Sequence, residues 1–318
     1  LELSFKKETM SLLLISKNRD FSSLEKALLH KDPNLDVEIW PRVEKKERVT
    51  FAVCWNHPEK VLGNYPNLRT VSSLGAGVNH LLNDQSLSQD IPICRLITES
   101  LQDQMAEYVL NAITNYRLHI SDYYEQKKHG TWEQKSSIPK KYSSIGIMGL
   151  GEMGLNVATL LAQQGYPVNS WSRTKKNLKD LTSFAGTEEL DDFLAETKIL
   201  VNLLPLTDET DGILDLDLFK KLKKPGYLIN VGRGDHLVEE DLIYAFDMDY
   251  LEGACLDVFE EEPLPKNHSF WNRKQIMVTP HIAAITPAKE AAEVLIENYK
   301  RAMSGMDLMY EVDREKGY

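Results

Sequence analysis

Short apolar runs separated by polar, turn-rich stretches recur along the whole chain. Ser11–Ser16, Val37–Trp40, Phe51–Trp55, Leu68–Ser73 and Ile91–Leu96 are each of strand length. Apolar runs with little polar interruption suit strands buried on both faces. Phe21–His30 has helical spacing, with Asp20 placed to cap it. Such alternation predicts a parallel sheet with helices on both faces. A second series begins at Ile145–Met148 and continues through Pro167–Trp171, Ile199–Leu204, Tyr227–Val231, Leu251–Val258 and Ile276–Val278, with helices over Leu155–Gln164 and Thr187–Glu196. Between the two series, Leu101, Met105, Val109, Ala112, Tyr116, Ile120 and Tyr123 recur every three or four residues. That seam predicts one amphipathic helix from Ser100 to about His129, crossing between domains and burying its apolar side against the body or a second subunit. Gly130 ends it, and Trp132 follows in a loop rich in Lys and Ser, as either a dimer anchor or a partly buried tryptophan.

Length sharpens this picture: 318 residues is about twice the ~150-residue expectation for one domain. A formal net charge of −11 makes nucleic acid and anionic membrane poor partners, while leaving room for a local basic pocket that takes a small anion. The hydrophobic fraction of 42% is ordinary for a globular protein. Cys54, Cys94 and Cys255 lie in separate apolar runs without metal-ligand spacing, so they are expected as buried small hydrophobes in a reducing cytoplasm, and no metal is expected. No apolar run reaches the ~18 residues of a membrane span, and the N-terminus lacks a signal-peptide pattern. Leu1–Thr9 read as an extension ahead of a natural start at Met10.

The second series opens on chemistry. Ile145–Met148 ends in Gly149-Leu150-Gly151-Glu152-Met153-Gly154 and then a helix. In a strand–turn–helix context the first glycine makes the tight turn, the second lets backbone approach a pyrophosphate, and the third permits close packing of helix on strand. The helix N-terminus offers free N–H groups to the phosphates. At the end of the next strand stand Ser172-Arg173-Thr174-Lys175-Lys176 in place of an acidic residue. A carboxylate there would accept the ribose hydroxyls of NAD and repel a 2′-phosphate, whereas a guanidinium grips that phosphate. NADP(H) is therefore favoured over NAD(H); the bland reading of the same residues is a solvated basic turn.

Later strand ends present Leu204 and Pro205, Arg233 between Gly232 and Gly234, Glu262, and His281. Packing is all that Leu204 and Pro205 offer, against an adenosine. Reduction of a 2-oxo acid needs a cation to fix the carboxylate and polarise the ketone, a proton donor, and a group that keeps the donor charged and oriented. Arg233, His281 and Glu262 suit those tasks in that order, an imidazole being able to carry a proton near neutral pH. In the first series, the small loop Leu74-Gly75-Ala76-Gly77-Val78-Asn79 could hold a carboxylate on backbone N–H groups or be an ordinary turn, and Trp55 ends another strand.

Several motifs in order carry a family resemblance: Leu74-Gly75-Ala76-Gly77-Val78, Met105-Ala106-Glu107-Tyr108, the glycine motif with Trp171-Ser172-Arg173-Thr174, Asn202-Leu203-Leu204-Pro205, Gly232-Arg233-Gly234, Leu256-Asp257-Val258-Phe259 with Glu262-Pro263-Leu264-Pro265, and Thr279-Pro280-His281-Ile282-Ala283-Ala284. The chain resembles the D-isomer-specific 2-hydroxyacid dehydrogenases over nearly everything after Met10. The resemblance implies that Arg233 binds substrate, Glu262 pairs with the histidine and His281 is the proton donor. It implies further that Asp257 hydrogen-bonds the nicotinamide carboxamide, that Ala76 and Gly77 hold the substrate carboxylate, and that Trp55 walls the pocket. Cofactor contacts are implied for Gly149, Gly151, Glu152, Met153, Gly154, Ser172, Arg173, Thr174, Lys175, Leu204, Pro205, Val231 and Gly232. Val231-Gly232 replaces the commoner Ala before the arginine, a change of packing.

The implied fold is α/β with two doubly wound parallel-sheet domains, a Rossmann cofactor domain (105–285) inserted in a flavodoxin-like substrate domain (10–104 and 286–318). The C-terminal helix, Pro287–Ser304, and Gly305–Tyr318 then return to the first domain. The implied activity is NADPH-dependent reduction of glyoxylate and hydroxypyruvate by a cytoplasmic homodimer paired through the cofactor domain and the long helix. A dehydrogenase of a larger D-2-hydroxy acid and a cofactor-sensing binding protein are the alternatives. Formate oxidation is disfavoured, because that branch carries Gln where this chain has Glu262.

Overall fold

The computed structural model describes residues 10–176, 178 and 181–317. Leu1–Thr9, expected as an extension, and Tyr318, expected in the returning segment, lie outside them. The chain divides into two compact units, one running to Leu101 and resuming at Thr286, the other spanning Gln102–Ile285.

In the first unit β1 (Ser11–Ser16), α1 (Ser22–Lys31), β2 (Asp36–Ile39), β3 (Val49–Trp55), β4 (Thr70–Ser73), α2 (Asn79–Leu82) and β5 (Ile93–Cys94) follow in order. The strands form a wholly parallel sheet, β2-β1-β3-β4-β5, the flavodoxin-like order. Every residue of β1 is buried, so its near-continuous apolar run is what a strand covered on both faces requires. One core joins Leu12, Leu14, Phe51 and Val53 to Leu24 and Leu28 of α1 and to Ala291, Ala292, Leu295 and Ile296 of the C-terminal helix Ala288–Ser304. The other face packs Leu13, Ile15, Ala52 and Cys54 against Val71 and Leu81. Asp20 does not cap α1 as its position suggested. Phe21 takes the cap position without a side-chain bond, and the Asp20 carboxylate instead accepts the Ser22 N–H at 2.9 Å, closing the turn one residue earlier.

In chain order the second unit contains α3 (Glu99–Arg117, entered from the first unit), α4 (Ile120–His129), β6 (Ile145–Met148), α5 (Glu152–Gln163), β7 (Val168–Ser172), β8 (Thr182–Ala185), α6 (Leu190–Ala195), β9 (Ile199–Asn202), α7 (Leu216–Lys221), β10 (Gly226–Asn230), α8 (Glu239–Asp247), β11 (Leu251–Leu256) and β12 (Ile276–Val278). Its seven strands are all parallel, β12-β11-β10-β9-β6-β7-β8. Chain order reverses between β6 and β9, which makes the crevice at their C-terminal ends the place for a ligand.

Two expectations are corrected here, and one strand is added. The long helix is two, because His119 adopts a left-handed φ of 55° between them. Arg117 turns out of the helical surface to bond the Ile138 carbonyl (2.9 and 2.7 Å) and the Tyr166 hydroxyl (2.9 Å), so the seam beyond Tyr116 is only half-buried. The helix expected over Thr187–Glu196 is regular only over Leu190–Ala195. Edge strand β8 escaped the pattern because it is short, partly polar and nowhere fully buried.

The three cysteines are free and buried. Among the described residues no helix is long and apolar enough to cross a membrane, and no group of three His, Cys, Asp or Glu could hold a metal ion.

Candidate active site

The glycine loop is built by close approaches. Gly149 has φ +96°, and a Cβ there would lie 2.7 Å from the Leu203 carbonyl oxygen. One at Gly154 would lie 1.9 Å from the Gly149 carbonyl oxygen, so α5 can sit on the loop only with glycine here. Gly151 faces open space, with nothing within 4 Å of its Cβ position. The first-turn amides of α5, from Glu152, Met153 and Gly154, have no helical partner, and the loop leaves room for backbone to meet a pyrophosphate. The residues present fit a dinucleotide. At the end of β7, Ser172 Oγ donates to the Thr174 carbonyl (2.9 Å), while Arg173, Thr174 and Lys175 are exposed. Lys175 pairs with Glu189 at 2.8 Å.

Across the crevice, three buried polar side chains fix the arginine loop. The Asn202 amide bonds Asn230 Oδ1 (2.9 Å) and His236 Nδ1 (2.8 Å), and the same Nδ1 accepts the Arg233 N–H at 3.0 Å. An imidazole nitrogen with two donors on it carries no hydrogen. Nε2 therefore does, and it donates to the Pro205 carbonyl at 3.2 Å. Burial lowers the His236 pKa to about 4, and the charge of Arg233 adds to that. This neutral ring ties the Pro205 loop to the Arg233 loop. A Cβ at Gly232 would meet Asn202 at 2.8 Å, and one at Gly234 would lie 1.8 Å from the Phe259 backbone. Val231 and Leu204 are buried, and the Leu204 N–H donates to Asn202 Oδ1 (3.2 Å).

The histidine stands on a second network. His281 Nδ1 lies 2.8 Å from Glu262 Oε2, and Glu262 Oε1 accepts the Phe259 N–H at 3.1 Å. Burial would raise the Glu262 carboxyl, but the His281 hydrogen bond and charge, the Phe259 amide and the Arg233 charge together hold it below the ordinary range. The Arg233 guanidinium is drawn down by burial and supported by the opposing charge of Glu262. Residues 29 and 19 positions apart in sequence thus act on one another. His281 is held at φ 53°, a strained region for a side-chain-bearing residue. Its N–H donates to the Asp257 carbonyl at 2.9 Å. The buried Asp257 carboxylate accepts the Thr279 hydroxyl (2.6 Å) and the N–H groups of Ile282 and Ala283 (2.8 Å each). Tyr108 completes this set, its hydroxyl 2.5 Å from Thr279 Oγ1 and 3.3 Å from Cys255 Sγ.

In the first unit, Trp55 ends β3 and its ring rests against Gly75, where a Cβ would lie 2.8 Å from Cζ3. Gly75 O accepts the Leu96 N–H (3.0 Å) and Gly77 O accepts the Ser73 hydroxyl (2.7 Å), which fixes the loop. Among the described residues no hydrogen bond engages the N–H groups of Ala76 and Gly77. Sequence reasoning singled out Arg233, Glu262 and His281, and these converge in the second unit. It missed His236, Asn230 and the work of Tyr108 and Thr279. The one available signal was an asparagine closing each of two apolar strands.

A doubly wound sheet with a dinucleotide loop, and an arginine, a carboxylate and a histidine gathered at its strand ends, defines a nicotinamide-dependent dehydrogenase. A family model described as D-isomer specific 2-hydroxyacid dehydrogenase, NAD binding domain, matches residues 110–283. Glyoxylate/hydroxypyruvate reductase A of Photorhabdus laumondii is 40% identical over 291 residues, 90% of this chain and 93% of that protein. A D-isomer specific 2-hydroxyacid dehydrogenase from Xanthobacter autotrophicus Py2, solved with NADPH and MES, superposes with a TM-score of 0.91 at 33% identity, covering 98% of this chain and 100% of that one. An NADPH-dependent glyoxylate/hydroxypyruvate reductase from Sinorhizobium meliloti, solved with NADP and sulfate, gives 0.90 at 32% identity over 97% and 100%. The chain belongs to the D-isomer specific 2-hydroxyacid dehydrogenase family.

Proposed function

We propose that the chain reduces small 2-oxo acids with NADPH, glyoxylate to glycolate and hydroxypyruvate to D-glycerate. The observation that carries this reading is the 2.8 Å contact of His281 with Glu262 in the sheet whose glycine loop fits a dinucleotide. The relatives named for the same two substrates, and the solved neighbours that hold NADP or NADPH, support it. NADPH when bound supplies the hydride.

The chain's own groups do the rest. Residues 105–285 form the cofactor domain: Gly149, Gly151, Glu152, Met153 and Gly154 meet the pyrophosphate. Ser172, Arg173, Thr174 and Lys175 meet the 2′-phosphate, and Leu204 and Pro205 the adenosine. Val231, Gly232 and Asp257 serve the nicotinamide side. Residues 10–104 and 286–318 form the substrate domain, where the Ala76 and Gly77 amides hold the carboxylate and Trp55 walls it. Arg233 pairs with the carboxylate and draws charge toward the carbonyl oxygen. Because Glu262 engages Nδ1, Nε2 of His281 is the atom that delivers the proton as the alkoxide develops.

The active species on this reading is a cytoplasmic homodimer joined through the cofactor domain and the 100–129 region. The solvent-facing rings of Tyr124, Trp132 and Tyr142, 65, 93 and 63% exposed, support a second copy there, and the buried free cysteines support a reducing compartment. Initial rates with NADPH and NADH against glyoxylate, hydroxypyruvate and pyruvate test the activity. Glyoxylate and hydroxypyruvate turned over faster with NADPH is the expected result; no reduction of any of the three overturns it.

A further inference from the structure

The order of the first sheet reverses between β1 and β3, so its ligand crevice opens at the C-terminal ends of those two strands. Ser16 and Trp55, the last residues of the pair, stand in register. Three residues past Ser16 comes Arg19, whose N–H bonds back to the Ser16 hydroxyl at 3.2 Å, as does that of Asn18 at 3.3 Å. The guanidinium of Arg19 lies over the Trp55 ring, 5.5 Å from its centroid. Among the described residues no hydrogen bond or ion pair engages that guanidinium. Burial draws the pKa of that guanidinium down. The same indole touches Gly75 of the loop whose Ala76 and Gly77 amides are open. A half-buried cation without a carboxylate partner, fixed on an aromatic face at a sheet's switch point, is arranged to receive an anion.

We propose that Arg19 sets substrate class by binding a second anionic group at the far end of the 2-oxo acid, whose first carboxylate lies on the Ala76–Gly77 amides. The inference rests on the reading of this chain as a 2-oxo acid reductase and deepens it. A substrate ending in hydrogen or methyl leaves the guanidinium without its partner. One ending in a carboxylate or a phosphate gives it a charge-assisted pair.

Initial rates with NADPH are measured for wild type, Arg19→Ala and Arg19→Lys on glyoxylate, pyruvate, oxaloacetate, 2-oxoglutarate and 3-phosphohydroxypyruvate. Arg19→Ala is expected to lower kcat/KM for at least one of the last three by about tenfold or more, the effect of removing a charged hydrogen-bond partner, with glyoxylate and pyruvate nearly unchanged. Arg19→Lys recovers part of the loss. A response confined to the two dicarboxylates assigns the distal group as carboxylate, and one confined to the ester assigns it as phosphate. Equal effects of Arg19→Ala on all five compounds, or none, overturn the inference while glyoxylate turnover leaves the broader reading standing. A wild type that reduces none of the five overturns both.

Discussion

The Nδ1 atom of His281 and the Oε2 atom of Glu262 are 2.8 Å apart, and the carboxyl of the pair is held below its ordinary pKa. An ionised carboxylate accepts, so Nδ1 donates, and Glu262 sets the tautomer and orientation of the ring. Replacing Glu262 by Gln keeps the size but removes the ionised acceptor that holds the His281 ring. We expect kcat for glyoxylate to fall by about 10²-fold and His281→Ala to cost at least as much, in the range of general acid catalysis. Steady-state rates at saturating NADPH decide this; a Glu262→Gln enzyme with wild-type kcat rejects the pairing as functional.

The loop that presents His281 hangs on a chain of hydroxyls. Asp257 takes the Thr279 hydrogen, so the Tyr108 hydroxyl must donate to Thr279 Oγ1, and burial keeps that phenol protonated. These bonds hold the left-handed backbone of His281. Thr279→Val leaves a carboxylate oxygen short of a donor and should cost about 1–3 kcal/mol of stability. Because the histidine loses its fixed position, kcat should drop by about tenfold or more with little change in KM for NADPH. Thermal melting and a full kinetic comparison check both parts, and Tyr108→Phe should give the same pattern more weakly.

Arg173 is exposed at the end of β7, where an acidic residue would select NAD. Arg173→Ala should raise KM for NADPH by about 10-fold or more, the effect of a lost charge-assisted phosphate contact, and leave KM for NADH nearly unchanged. Lys175→Ala, which removes a second exposed cation from the same turn, should act in the same direction. Equal responses to both cofactors would place the 2′-phosphate elsewhere.

Much of this was legible from spacing because the chemistry is local. The glycine motif, the basic turn after β7 and the polar residues after β10 and β12 each sit where an apolar run stops, and a run's end is visible in one dimension. What was not legible depends on neighbours brought together by the sheet. Asn230 and His236 read as unremarkable polar residues, and Asn202 only as part of a motif, until the paired strands β9 and β10 place the two asparagines side by side under the Arg233 loop. The break after Arg117 escaped because no Gly or Pro marks it; a buried arginine reaching Ile138 and Tyr166 draws the chain away from the seam.

His236 gives the fold a pH dependence separate from catalysis. Its folded pKa is depressed to about 4 from 6.5, chiefly by burial, so between those values the unfolded chain binds a proton that the folded one does not. Stability from this residue is therefore complete above about pH 6.5 and is lost as pH falls toward 4, by up to about 3 kcal/mol. The Glu262 carboxyl, depressed below 4.5, contributes in the same direction but at lower pH, which separates the two. Urea unfolding at pH 8 and pH 5 should show the loss. His236→Gln should lower stability at pH 8, because the Arg233 and Asn202 donors lose their shared acceptor, and should flatten the change between the two pH values. A wild type equally stable at both would mean that the imidazole is not held neutral beneath the Arg233 loop.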